Sequence, residues 1–143
     1  MVSPMTDSYL GNEGDVPAAA RGIMCFTQEL FNGLTVKCTV VKMGLDCAMT
    51  VCGGEAPHVG SVVVSTPRPS LTGKGLGVTS SVVNAIGHKD ERIARTFAER
   101  AALETGGAAV CSCGIHVDRI TPEQIKMVER QCAILLEKVA RAL

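Results

Sequence analysis

Three imidazoles, one cationic loop and one run of hydroxyls carry most of the chemistry this chain offers. His58 follows Ala56-Pro57 ahead of a valine-rich run, His88 follows Gly87, and His116 lies in Gly114-Ile115-His116-Val117-Asp118. None sits in a helix or strand interior, and element junctions are where rigid scaffolds present functional groups. Three converging imidazoles suit a divalent metal, with Asp118 or Glu55 beside them. A single one suits a general base. Each is also readable alone as a junction residue bonded to a backbone carbonyl. Asp118 reads as a turn starter, or as a partner for His116 or Arg119.

The second constellation is Gly53 to Ser81, GGEAPHVGSVVVSTPRPSLTGKGLGVTSS. A strand-like run, Val59 to Ser65, leads into a loop from Thr66 to Val78 that has no periodicity of its own. Such long connections are commonly functional or disordered. The loop holds Arg68 and Lys74 and runs into Thr79-Ser80-Ser81, residue types that suit a phosphate. A basic surface loop is the plain alternative. Gly73, Gly75 and Gly77 leave it few restraints, so it is expected to be mobile when empty. Lys89, at a helix start, opposes the helix dipole and is easier to explain beside a bound anion, although Asp90 and Glu91 compensate in part. Gly73-Lys74-Gly75-Leu76-Gly77 is too loose for a Walker A or dinucleotide loop. No Ser-His-Asp or Cys-His spacing matches a catalytic motif, and no catalytic residue is assigned.

The totals narrow the classes. The chain has 143 residues, 46% hydrophobic and 20% charged, which predicts one globular domain with a substantial core. Fourteen basic residues balance fourteen acidic ones, and three Phe, one Tyr and no Trp leave no stacking platform, so no nucleic acid is expected. No long apolar run predicts a membrane span. The polar N-terminus lacks the apolar segment of a signal peptide, which with seven cysteines predicts reduced thiols in the cytoplasm. Cys111 and Cys113 alternate like strand residues, and Cys25, Cys38, Cys47 and Cys52 fall in apolar runs. All are expected to be core residues.

The elements follow in order. Residues 1–18 read as a flexible arm and 19–143 as one domain. Strands are expected over Ile23 to Phe31, Leu34 to Lys42, Leu45 to Cys52, Val59 to Ser65, Val78 to Ile86 and Ala108 to Val117. Asn32-Gly33 and Met43-Gly44 are the first turns, giving an antiparallel meander. One helix runs from Lys89 to Glu104, with Ile93, Ala94, Phe97, Ala98, Ala101 and Ala102 on one face and Gly106-Gly107 as its stop. Another starts at Pro122, boxed by Thr121 and Gln124, with a stripe of Ile125, Val128, Cys132, Leu135, Leu136 and Val139. Both helices are expected on one face of a largely antiparallel sheet, an α+β fold. Val62-Val63-Val64 and Val82-Val83 favour burial of the other face too, in a dimer.

In this order PHVGSVVVSTPRPS, the TSS run, GHKDE and GIHVDRITPEQI resemble the prenylated flavin chaperone-like family, the small D subunit associated with gallate-type, non-oxidative hydroxyarylic acid decarboxylases. The resemblance covers roughly residues 20 to 143. It implies a proteasome-assembly-chaperone-like α+β domain that tends to dimerise. It also implies an accessory protein, not an enzyme, that holds prenylated FMN or FMN for a prenylated-FMN-dependent decarboxylase, alongside the flavin prenyltransferase that makes the cofactor. Arg68, Ser70, Lys74, Thr79, Ser80 and Lys89 are then candidates for the phosphate. His58, His88 and His116 are candidates for the ring, the phosphate or a divalent metal. Two other readings stand beside it: a small metal-dependent enzyme built on the three histidines, and a purely structural decarboxylase subunit.

Overall fold

The computed structural model describes residues 22–85 and 90–143. The expected flexible arm, His88 and Lys89 lie outside them. Among the described residues, six strands and two helices follow one another as β1 (Ile23–Phe31), β2 (Leu34–Met43), β3 (Asp46–Gly54), β4 (Ser61–Pro69), β5 (Leu76–Asn84), α1 (Glu91–Thr105), β6 (Ala109–His116) and α2 (Pro122–Ala142). Asn32 and Gly33 take φ of 48° and 75°, the twist that a two-residue hairpin needs, so β1 turns directly into β2. The next turn falls on Gly44 and Leu45, one residue later than expected.

The sheet order is β1-β2-β3-β6-β4-β5. Neighbours are antiparallel except β3 and β6, which run parallel. The first three strands are the expected meander. The last strand of the sequence then inserts at the centre of the sheet.

The β4–β5 hairpin corrects the expected long loop. Pro69 pairs with Leu76, so the connection shrinks to Ser70 through Gly75. Because β6 pairs with β4 only from Ser61 to Ser65, the remainder of the hairpin overhangs the sheet as a two-stranded ribbon. That is how Pro67 and Pro69 fit inside a strand: along this stretch β4 has a pairing neighbour on one side only.

Side chains alternate cleanly across the sheet. Val36, Cys38, Val40, Met49, Val51, Val63, Cys111 and Cys113 all point to one face and are buried there by the helices. From α1 come Ala94, Phe97, Ala98, Ala101 and Ala102, small residues that let the helix approach the sheet closely, and from α2 come Val128, Cys132, Leu135 and Val139. Ends are fixed as the sequence predicts. Thr121 accepts from the Gln124 amide, the Gln124 side chain accepts from the Thr121 amide, and Gly106 closes α1 at φ 72°.

Among the described residues no helix covers the opposite face. Val64 is 43% exposed and Val83 72%, with Thr39, Ala48, Thr50, Val62, Val110 and Ser112 between the edges. Cys25 lies exposed on this face and Cys52 is half-buried, so these two are not core residues as expected. Cys38, Cys47, Cys111, Cys113 and Cys132 are buried. Burial raises all five of these thiols from their ordinary 9.0, Cys38 and Cys132 to about 12.

Two outcomes are expected from this. A thiol reagent at pH 8 modifies Cys25 first and Cys52 more slowly, and reaches the other five only on unfolding, as peptide mass mapping would show. The stability that these thiols contribute is fully present below pH 9, where they are protonated in both states. It falls as pH rises from 9 toward 12, because the unfolded chain loses those protons first. Melting curves across that range check the sign.

Candidate functional site

Because β6 runs parallel to β3 and antiparallel to β4, the exits of β3 and β6 and the entrance to β4 share one end of the sheet. The backbone stitches them together there. The Glu55 amide donates to the His116 carbonyl at 2.7 Å, the Asp118 amide to Glu55 Oε2 at 2.6 Å, and the Gly60 amide to the Cys113 carbonyl at 2.9 Å. The His58 backbone lies against Gly114 so closely that a Cβ on Gly114 would collide with the His58 carbonyl. A Cβ on Gly60 would likewise collide with the Asp90 carboxylate. Gly114 therefore requires the bare backbone of glycine, and a side chain at Gly60 would push the Asp90 carboxylate out of place.

Asp90 sits at the N-cap of α1 yet makes no side-chain capping bond. Its carboxylate turns inward instead and is largely buried. Oδ1 accepts from the Ile115 amide at 3.2 Å, and Oδ2 lies 3.4 Å from His58 Nε2. The other nitrogen of His58, Nδ1, donates to the Ala56 carbonyl at 2.9 Å, and the Asp90 contact is an ion pair when Nε2 is protonated as well. His116 Nε2 is 2.9 Å from Asp118 Oδ1. A carboxylate only accepts, so Nε2 carries the proton and the neutral ring keeps Nδ1 as an acceptor. The two imidazoles meet edge to face, centroids 6.4 Å apart at 73°.

Beside them opens a cleft of about 430 Å³. Ile93, Ile115, Ile120, Ile125 and Val128 form an aliphatic wall, and Asp90, Arg92 and Glu129 join the histidines as its polar groups. Ile125, expected on the core stripe of α2, is 44% exposed because it faces this opening.

Of the residues singled out in the sequence, the structure brings together His58, His116, Glu55 and Asp118. Arg68, Ser70, Lys74, Thr79 and Ser80 lie elsewhere. Arg68 is seven residues along β4 from Ser61, roughly 23 Å of strand at about 3.3 Å per residue. Several of these groups have partners away from the cleft. Arg68 Nε donates to Thr79 Oγ1 at 3.0 Å, Ser70 Oγ is 2.9 Å from Thr72 Oγ1, and Ser80 Oγ donates to Glu99 at 2.9 Å. Within a single chain an extended strand therefore lies between Arg68 and the cleft beside His58 and His116. Among the described residues no group of three or more His, Cys, Asp or Glu side chains is placed to hold a metal ion, and the His88 of the expected set lies outside them. None of the described helices is long and apolar enough to cross a membrane.

Sequence reasoning passed over Asp90, Arg92, Glu129, Gly60 and Gly114. The glycines had a usable signal, since each sits within two residues of a junction histidine. Asp90 was visible only as a charge at a helix start.

Comparisons with known proteins bear on the same region. A family profile described as a prenylated flavin chaperone LpdD-like domain matches residues 31–143. Protein LpdD of Lactiplantibacillus plantarum is 30% identical over 95 residues, which is 65% of this chain and 65% of that protein, so the match spans just under two thirds of the relative. Among solved structures, one from a chaperone complex for yeast 20S proteasome assembly superposes with a TM-score of 0.49 at 15% identity, over 82% of this chain and 91% of the other.

Proposed function

The chain belongs to the prenylated flavin chaperone LpdD-like family, and from that premise we propose that it holds prenylated FMN in the cleft beside His58 and His116 and delivers it to a prenylated-FMN-dependent aromatic acid decarboxylase. The observation that carries this reading is the cleft itself: about 430 Å³, one aliphatic wall and two oriented imidazoles. A tricyclic ring needs an apolar slot with a few fixed polar groups, and pockets for such ligands have about this volume. The isoleucines suit the faces of the ring. The accepting Nδ1 of His116, with His58 beside it, suits its heteroatom edge. Asp118 orients one imidazole and Asp90 the other, as carboxylates beside ligand-binding histidines do. A carrier must also release its cargo, and an open cleft serves that need. The flavin prenyltransferase is the natural donor and the decarboxylase the acceptor.

The phosphate fits this end less completely. Arg68 and Lys74 are farther from the cleft than a flavin mononucleotide extends, so with Ser70, Thr79 and Ser80 they hold the same ligand only if a neighbouring copy brings its ribbon there. A second copy has a place to pack. The open sheet face is uncharged at its centre and spans six strands at about 4.8 Å, on the order of 600 Å² per copy, near the lower range of stable interfaces. In such a homodimer Cys25 is covered, so its labelling rate falls as protein concentration rises, and Val64→Glu restores it. A labelling rate independent of concentration, with a monomer in sedimentation, argues against the dimer.

The test of the carrier reading is titration of the isolated protein with FMN and prenylated FMN, followed by absorbance. One equivalent of prenylated FMN is expected to bind. His116→Ala should weaken it by about tenfold, the worth of one hydrogen bond of ~1.4 kcal/mol. If neither flavin binds, the chain is a structural subunit and the carrier reading fails.

A further inference from the structure

A second cavity, of about 170 Å³, lies between α1 and α2. It shares Arg92, Ile93 and Glu129 with the histidine cleft, so these three residues stand where the two cavities meet. Arg92 and Glu129 form an ion pair there, from the first turn of α1 to the middle of α2. Arg92 is also the one Lys or Arg among the described residues that line the cleft. Its side chain is 71% exposed and that of Glu129 40%, so the pair is open to solvent and to an incoming ligand. Exposed ion pairs of this kind contribute little stability and are readily exchanged.

We infer that Arg92 is the phosphate anchor of the cleft and that Glu129 is its placeholder. A terminal phosphomonoester entering with its ring against the isoleucine wall takes Arg92 from Glu129, and the freed carboxylate turns to solvent. The exchange favours the phosphate because a monoester carries more than one negative charge at pH 7 and accepts from a guanidinium in bidentate fashion. Glu129 then does two jobs. It keeps Arg92 extended across the cavity junction while the cleft is empty, and it competes with the cargo, which keeps the phosphate loosely enough held to be surrendered to an acceptor. This rests on the carrier reading and adds to it the class of ligand selected: phosphorylated flavins over their dephosphorylated counterparts.

The test compares FMN with riboflavin on the full chain, as wild type, Arg92→Ala and Glu129→Gln, by fluorescence quenching at two salt concentrations. Wild type is expected to prefer FMN by roughly tenfold or more, a preference that shrinks at high salt. Arg92→Ala should bind both ligands equally, at the wild-type riboflavin affinity. Glu129→Gln should tighten FMN by about threefold or more and leave riboflavin unchanged. Both positions are exposed, so both variants should melt close to wild type. Equal wild-type affinity for the two flavins, or a Glu129→Gln chain with unaltered FMN affinity, overturns the anchor while leaving the carrier reading intact. Failure of FMN, riboflavin and prenylated FMN alike to bind wild type overturns both.

Discussion

Gly114→Ala is expected to destabilise the protein by about 3 kcal/mol, lowering the melting temperature by roughly 10 °C, and to abolish flavin binding in whatever fraction remains folded. The added methyl would meet the carbonyl of His58 and the root of its ring. Neither obstacle is the end of a flexible side chain, so no rotamer change relieves the contact. Nor can Gly114 itself retreat, because β6 is held between β3 and β4, with Gly114 opposite Cys52. The segment from Glu55 to Gly60 must move instead, carrying His58 away from Asp90. Calorimetry alongside the flavin titration measures both effects. A variant that melts within 2 °C of wild type and still binds flavin would show that the close packing of this segment is not what positions the imidazole.

Asp90→Ala should be nearly as damaging, costing about 2–3 kcal/mol by urea denaturation. It removes the acceptor for the Ile115 amide and the carboxylate that lies 3.4 Å from His58 Nε2, both at a largely buried position. Asp90→Asn separates the two roles. The amide oxygen still accepts from Ile115, so roughly half the stability should return, while the charge opposite His58 is gone and flavin affinity stays reduced. If the alanine variant costs less than about 0.5 kcal/mol, Asp90 does not anchor the site.

The contrast between these two residues shows what a sequence exposes. Local signals were legible: the positive-φ turn at Asn32-Gly33, the box at Thr121 and Gln124, the stop at Gly106, and strand alternation from Val36 to Val40. Each depends on residues within a few positions of one another. His58 and His116 were legible as junction residues because a polar ring just outside an apolar run has few structural reasons to be there. Pairing order was not. Nothing local states that β6 inserts between β3 and β4, yet that insertion is what brings the two histidines to one end of the sheet. Pro67 and Pro69 misled for a related reason. They break strands flanked on both sides, and only the pairing pattern reveals that β4 has outrun β6 by that point. Cys25 misled because alternation fixes which residues share a face without fixing which face is covered. Asp90 belongs by sequence to the start of α1 and by contact to β6 and His58, a displacement that only the tertiary structure supplies.

The claim on which the rest depends is that the flavin ring lies against His58 and His116. The most direct measurement is proton–carbon NMR of the histidine rings during titration with prenylated FMN. The ring signals of both residues, assigned by His58→Gln and His116→Gln, should shift with the same midpoint as the flavin absorbance, while amides of the ribbon tip from Ser70 to Gly75 stay in place. Saturable binding that moves the ribbon signals and leaves both imidazoles untouched would contradict it.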